Sequence, residues 1–284
     1  MQKMMITGAN GFLGARLARY FAAHYEVATP THAEMELTDP AQVEAVVRQF
    51  APDVVLHCAA VSDVKACEAD PVRSQAINVG GTEAVAAACA KTGAKLVFCS
   101  SDQIYFGSTG LQKHTEDEPV TPCNVYGRQK LQAEQKALAL CPTAVCLRLS
   151  WMYDWQTVLA AEHSDLYRTL KDAVQNNKPL AYPVRDYRGI TYVGALLQAV
   201  EQTFRLPGGV YNFGSENSAN TCETVTRFLA LLGAKGYPVE QNTKAFADRP
   251  RNLTMSLLRL RSFGITLPDT VAGFAQCVDD EAAG

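Results

Sequence analysis

The sequence predicts an α/β protein: a doubly wound parallel sheet followed by a smaller C-terminal lobe. Three observations carry that expectation. Through the first half of the 284 residues, short apolar runs alternate with longer amphipathic segments, the pattern of consecutive β-α units. A glycine-rich turn joins the first apolar run to the first amphipathic segment. Beyond Trp151 the alternation breaks under Pro179, Pro183, Pro207-Gly208-Gly209 and Pro238, which punctuate mixed short elements. The expected division therefore falls at residues 1–150 and 151–284, the second stretch being mainly a separate lobe with some segments returning to the main sheet.

In chain order, Met4 to Thr7 reads as the first strand and Phe12 to His24 as the first helix. Glu26 to Thr29 is the second strand, and Pro40 to Phe50 a helix with Thr38 or Asp39 available to cap it and proline at its first position. Val54 to His57 follows as a strand, then a long helical stretch from Pro71 to Thr92. Leu96 to Ser100 and Ala144 to Leu149 are strands flanking a helix at Val125 to Leu140. Asp279 to Gly284 is acidic and alanine-rich and is expected to fray. Parallel strands with right-handed helical crossovers place a ligand site at their carboxyl ends, so motifs there matter most.

Composition narrows the partners. With 26 basic and 29 acidic residues the net charge is -3, which gives no electrostatic case for nucleic acid or an anionic membrane. The nine cysteines are scattered, without a Cys-x-x-Cys pair or histidine at metal-ligand spacing, so reduced thiols and no metal site are expected. A glycine turn beginning at Gly8 leaves no room for a signal peptide, and no apolar run approaches the roughly 20 residues needed to span a bilayer. A soluble, cytoplasmic protein is the expectation.

Residues Met4 to Gly14, MMITGANGFLG, give strand, turn and helix in that order, with glycines at 8, 11 and 14. Glycine permits tight turning and close approach of a pyrophosphate, to which the helix N-terminus offers unpaired N–H groups and a positive dipole. Gly8, Asn10, Gly11, Phe12, Leu13 and Gly14 are accordingly candidate contacts to a dinucleotide on a Rossmann-type sheet. After the second strand, Thr29-Pro30-Thr31-His32 supplies neither the carboxylate that favours NAD nor the arginine that favours NADP. Small polar residues leave room for a 2′-phosphate, which tilts the expectation toward NADP(H) over NAD(H).

Tyr126 and Lys130 are four apart in a predicted helix and so share one face. A phenol with an ordinary pKa near ~10 needs a neighbouring ammonium to act as an acid-base catalyst at neutral pH. Ser100 and Ser101 end the fourth strand at the ligand edge, where Ser101 can polarise a substrate carbonyl or simply cap a turn.

These motifs together resemble the extended short-chain dehydrogenase/reductases, and within them the dTDP-4-dehydrorhamnose reductases. The likeness runs through Gly-x-x-Gly-x-x-Gly, Glu36-Leu37-Thr38-Asp39, His57-Cys58-Ala59-Ala60-Val61-Ser62-Asp63, EPVTPCNVYGRQK from Glu118 to Lys130, and Leu147 to Tyr153. Gly209 to Gly214 and Asp248 to Asn252 extend it toward the C-terminus. By that resemblance Glu36 and Leu37 meet the adenine, Cys58, Ala59 and Ala60 cover the nicotinamide with Ser100 beside it, and Asn78 buttresses the catalytic lysine. Ser62 and Asp63 border the substrate. Trp151 either meets the sugar or packs, and Arg249 either pairs with a substrate phosphate or is an exposed arginine before proline. Two segments depart from the family pattern: Trp155 to Asp172, without the usual Asn-Phe-containing helix, and Arg185 to Thr191, without a proline before the threonine.

The resemblance implies reduction of a 4-keto nucleotide-deoxysugar such as dTDP-4-dehydro-L-rhamnose, with Ser101, Tyr126 and Lys130 as catalytic residues, and a possible homodimer. Two alternatives stand beside it: a sugar-nucleotide epimerase or dehydratase that retains NAD, and a non-catalytic NADP-binding regulatory subunit similar to methionine adenosyltransferase β.

Overall fold

The computed structural model describes residues 1–108, 110–160, 162 and 164–284. Its first elements are β1 (Lys3–Thr7), α1 (Phe12–Phe21), β2 (Glu26–Ala28), α2 (Pro40–Phe50) and β3 (Val54–His57). Two short helices, α3 (Val64–Ala69) and α4 (Pro71–Gln75), lead through a π-helical turn at Ala76–Gly81 into α5 (Thr82–Thr92) and β4 (Lys95–Ser101). Then come α6 (Val125–Leu140), β5 (Val145–Leu149), β6 (Trp151–Tyr153), α7 (Leu166–Asn176), β7 (Leu180–Pro183), β8 (Asp186–Arg188) and β9 (Ile190–Tyr192). The chain closes with α8 (Val193–Val200), β10 (Gly209–Phe213), α9 (Thr221–Leu231), β11 (Val239–Asn242), β12 (Arg251–Leu253), α10 (Leu258–Ser262) and α11 (Thr270–Ala283). No helix among the described residues is long and apolar enough to cross a membrane.

Six strands form the main sheet in the order β10-β5-β4-β3-β1-β2, and every neighbouring pair from β5 to β2 is parallel. From β1 the chain steps outward to β2, then returns past β1 to β3. The winding therefore reverses between β1 and β3, and in such sheets the ligand crevice opens at that point, beyond the carboxyl ends. β3 and β5 are buried at every position, as strands covered on both faces must be. On α1 the inward stripe is Leu13, Leu17 and Phe21, spaced by one helical turn. Alanines let α5 lie close against α6: Ala84 and Ala88 on one, Ala133 and Ala137 on the other, all buried in one cluster with Phe98 and Cys146 of the sheet.

Two compact units emerge. The first comprises Met1–Ile104, Thr121–Leu149 and Val200–Tyr211; the second comprises Tyr105–Val120, Ser150–Ala199 and Asn212–Gly284. Neither is one continuous stretch of chain. In the second unit, three separate two-stranded parallel pairs form, β6 with β9, β7 with β11 and β8 with β12, and the first two of them contribute to an aromatic core. Phe228 and Phe274 stack there with ring centroids 3.8 Å apart, and Tyr153, Tyr167 and Tyr192 pack against them.

The structure corrects two expectations. The stretch from Pro71 to Thr92 is interrupted by the π-helical turn, where Asn78 directs its side chain to a neighbouring loop. The acidic tail does not fray: α11 continues to Ala283 because Asp280 accepts from the Tyr192 hydroxyl and Glu281 from Tyr167 and Lys171, each within 2.8 Å.

A fully buried ion pair joins α6 to β5 inside the first unit. Arg148 grips Glu134 through Nε at 3.0 Å and Nη2 at 2.8 Å, with the two side chains only 4% and 2% exposed. Removing one partner strands the other charge in an apolar layer. Arg148→Met is expected to lose about 3–5 kcal/mol of folding stability, whereas Arg148→Met with Glu134→Leu recovers most of it, as read from urea denaturation midpoints.

Candidate active site

The glycine turn is built from close backbone contacts. Gly8 has φ +71°, and a Cβ on it would lie 2.7 Å from both Cα and N of Ala59, just beyond β3. A Cβ on Gly14 would lie 2.2 Å from the Gly8 carbonyl oxygen. That same oxygen accepts from the Gly11 N–H at 2.9 Å. The ends of β1 and β3 and the start of α1 are thus locked together where the sheet's winding reverses. Gly11 caps α1 without a side chain, and no acidic residue occupies the first turn. Asn10 and Gly11 are exposed, Phe12 half-buried and Leu13 buried. Arg16 lies over the Phe12 ring at 3.9 Å and donates to its carbonyl at 2.8 Å.

Beside this turn, Leu37 is buried and fills the space left by Gly81, whose Cβ would sit 3.0 Å from that of Leu37. Glu36 remains half exposed, and one of its oxygens accepts from both the backbone N–H and the hydroxyl of Thr38, holding its carboxyl below the usual range. Asp39, not Thr38, caps α2.

Beneath the turn runs a chain of buried hydrogen bonds. Thr82 donates its hydroxyl to the Asn78 carbonyl at 2.8 Å, so it meets His57 Nε2, 3.1 Å away, as an acceptor. Nε2 therefore carries the ring proton, and Nδ1 accepts from the Thr7 hydroxyl at 2.7 Å. Burial, and secondarily the charge of Lys130, pull the imidazole down to about 3. His57 is a neutral strut between β1 and β3. Asn78 accepts from Val61 N–H at 2.8 Å and donates to the carbonyl of Val61 and to Gln129 Oε1, tying the loop after β3 to α6 one residue from Lys130.

Ser101 ends β4, and Tyr126 and Lys130 rise from α6. What joins them is a contact that the sequence reading missed. Asn124 caps α6 by accepting from Gly127 N–H at 2.6 Å and donates to Gln103 Oε1 at 2.9 Å. A Cβ on Gly127 would lie 2.4 Å from the Gln103 carbonyl oxygen, so glycine alone lets the helix meet the turn after β4. The signals were present: an asparagine directly before the helix and a glycine directly after the tyrosine.

The three side chains converge. Burial raises the Tyr126 phenol well above its ordinary value of 10; a hydrogen bond with Ser101 works against that rise and the Asp102 carboxylate with it. Lys130 is buried, donates to the Cys99 carbonyl at 2.7 Å and lies 5.8 Å from the Tyr126 ring centroid. Burial brings its ammonium down to about 8. Next to Ser101, the Ser100 hydroxyl is buried at the ligand edge with no hydrogen-bond partner. An unpartnered hydroxyl, a lysine and a phenol around a glycine cradle make a site able to hold a dinucleotide and transfer a proton.

Of the remaining candidates, Cys58, Ala59 and Ala60 are half-buried beyond β3, and Cys58 Sγ lies 3.4 Å from Cys99 Sγ. Ser62 is exposed, and Asp63 caps α3 through Ala66 N–H at 2.8 Å. In the second unit, Trp151 has the Arg188 guanidinium 5.1 Å from its ring centroid, while Arg249 is exposed. No group of three or more potential metal ligands exists among the described residues.

Comparison with known proteins converges on one group. The sequence model of a family described as the RmlD substrate binding domain matches residues 1–282. A dTDP-4-dehydrorhamnose reductase of Mycobacterium tuberculosis (strain ATCC 25618 / H37Rv) is 36% identical over 156 residues, and the match covers 54% of this chain and 51% of that protein. The chain thus aligns with about half the length of that relative. Methionine adenosyltransferase 2 subunit beta of Xenopus tropicalis is 29% identical over 283 residues, covering 93% of this chain and 83% of that one. The crystal structure of dTDP-4-dehydrorhamnose reductase from Bacillus anthracis in complex with NADP superposes with a TM-score of 0.87 at 23% identity over 99% of this chain and 100% of that chain, a likeness of fold.

The depressed imidazole has a consequence for pH. His57 in the unfolded chain binds a proton below about 6.5, while the folded protein refuses it down to about 3, so stability falls as pH drops through that window, by roughly 1.4 kcal/mol per unit from this residue. In NMR spectra of the folded protein, the His57 ring signals are expected to stay fixed from pH 8 to about 5; a titration centred near the free value would refute the buried neutral strut.

Proposed function

The chain belongs to the RmlD substrate-binding-domain family, and from that membership we propose that it is an NAD(P)H-dependent reductase of a 4-keto nucleotide-deoxysugar, dTDP-4-dehydro-L-rhamnose being the leading substrate. The observation that carries this reading is the convergence of Ser101, Tyr126 and Lys130 at the carboxyl edge of the sheet, next to the glycine turn.

The cradle fits a dinucleotide. Gly8, Gly11 and Gly14 leave the backbone bare, and the N–H groups of Asn10, Phe12 and Leu13 at the start of α1 receive the pyrophosphate. Glu36 and Leu37 serve the adenine, and Cys58, Ala59, Ala60, Asn78 and Ser100 the nicotinamide side, where the unpartnered Ser100 hydroxyl awaits an acceptor or donor. NADP(H) is preferred over NAD(H), because Thr29-Pro30-Thr31-His32, directly after β2, contains no carboxylate to repel a 2′-phosphate, and the first that follows, Glu34, is engaged by the Thr31 N–H and hydroxyl. When bound, the reduced nicotinamide supplies hydride to the substrate carbonyl.

The chain's own residues manage the proton. Burial keeps the Tyr126 phenol protonated, which is the form a reduction needs, since the new alkoxide must receive a proton. Ser101 donates a hydrogen bond to the same oxygen, stabilising charge as it develops. Lys130 brings a positive charge beneath the ring of Tyr126 and reaches toward the nicotinamide ribose. Ser62 and Asp63 are the first unit's candidates for contact with the sugar nucleotide, and Trp151 and Arg249 the second unit's, the guanidinium of Arg249 being suited to a phosphate.

A second reading, a dinucleotide-binding regulatory subunit, draws on the likeness to methionine adenosyltransferase 2 subunit beta over most of the chain. Turnover separates the two. NADPH oxidation should depend on added dTDP-4-dehydro-L-rhamnose and proceed faster than NADH oxidation. Tyr126→Phe should lower kcat by about 10²–10⁴-fold while thermal-shift titration shows dinucleotide binding intact. Binding without turnover in the native protein would favour the regulatory subunit, and turnover without added reductant would point to an epimerase.

A further inference from the structure

Cys58, just beyond the end of β3, and Cys99, within the neighbouring parallel strand β4, each lie one position beyond the last pair, His57 with Phe98. Adjacent strands run about 4.8 Å apart, within the Cα separation that a disulfide tolerates. Their Sγ atoms are 3.4 Å apart and already share a hydrogen bond. No other two cysteine sulfurs among the described residues are hydrogen-bonded to each other. Cys58 is half-buried, so a small uncharged oxidant reaches the pair, while the remaining buried thiols are shielded.

We propose that Cys58 and Cys99 form a site of reversible oxidative modification, a cross-strand dithiol that hydrogen peroxide converts to a disulfide and that thereby switches off dinucleotide binding. One sulfur, as thiolate, attacks a peroxide oxygen, becoming sulfenic acid as the O–O bond breaks and hydroxide leaves, which its proton turns to water. The second sulfur then attacks the sulfenic sulfur, its proton leaving with the displaced hydroxyl as a second water. In sum, two thiols and one hydrogen peroxide give one disulfide and two waters. A thiol reductant reverses the step by exchange.

Closing the bond draws the sulfurs together by about 1.4 Å, to the ~2.05 Å of a disulfide. Cys58 cannot move without Ala59, whose backbone abuts Gly8 and whose N–H donates to the Thr7 hydroxyl at 3.3 Å. Cys99 cannot move without the carbonyl that holds Lys130. Both ends of the bond thus pull on the glycine turn and the lysine together. Their shared hydrogen bond holds the Cys99 thiol below its ordinary value and pushes the Cys58 thiol above it.

The consequence for dinucleotide binding rests on the reading of the glycine turn given above; the cross-link itself does not. The full chain is treated with hydrogen peroxide, blocked with an alkylating agent and mapped by mass spectrometry, and NADPH affinity is measured before oxidation, after it and after dithiothreitol. Cys99→Ala, with its fold checked by circular dichroism, serves as the control. A peptide pair joined through Cys58 and Cys99, lighter by two hydrogens, with at least a roughly tenfold loss of affinity that dithiothreitol restores and Cys99→Ala lacks, supports the proposal. Oxidation confined to the exposed Cys123, or a cross-link that leaves affinity unchanged, overturns it. Absence of NADPH binding by the untreated protein would instead sink the dinucleotide reading, while the peptide map still decides whether the pair closes.

Discussion

Three stretches of backbone meet around Gly8 at distances that no side chain permits. Gly8 must take a positive φ and leave Ala59 unobstructed, and Gly14 must leave the Gly8 carbonyl unobstructed, or the end of β1, the end of β3 and the start of α1 could not share one corner. Side chains could pack the rest of the sheet in many ways, because cores of roughly the right volume are forgiving. This corner is not. It sets where the helix dipole points, and it fixes the edge of the sheet against which α6 is then aligned by a second glycine contact at Gly127.

Around that corner, the removal of water acts on three titratable groups in a common direction. It lowers His57 and Lys130 and raises Tyr126, each toward its neutral form. His57 completes the move and becomes a strut with a defined tautomer. Lys130 stops partway, held by a backbone carbonyl and two aromatic faces. Tyr126 keeps its proton. A site organised this way excludes water, so an anionic ligand enters a place where its charge is weakly screened and strongly felt.

The local rules of sequence were enough for the sheet and the glycine turn, since both follow from alternation and from glycine at fixed spacing. The positions of Ser101 at a strand end and of Tyr126 and Lys130 one helical turn apart were legible because helical spacing and strand ends are local facts. Less legible were features decided by packing partners distant in the chain. The π-helical turn at Ala76–Gly81 depends on Asn78 finding Val61 and Gln129, and propensity alone reads the segment as continuous helix. The tail resembled a frayed terminus because its acidic residues are satisfied by tyrosines more than eighty residues away in sequence. The Cys58–Cys99 contact follows from strand register, which the pattern of apolar residues does not specify across parallel neighbours.

Each compact unit is assembled from three separate stretches of chain, and the stretches alternate along the sequence. During synthesis from the N-terminus, the sheet can acquire β1 to β5 early, but the strand at its β10 edge and the segment Val200–Tyr211 arrive only after most of the second unit's first half has been made. The second unit in turn waits for β11, β12 and α11, since each of β7 and β8 pairs with a strand from beyond residue 238. Half-made chains would expose the partnerless strands β7 and β8, the kind of edge that recruits other chains. The protein's vulnerability to aggregation is therefore greatest while it is being born.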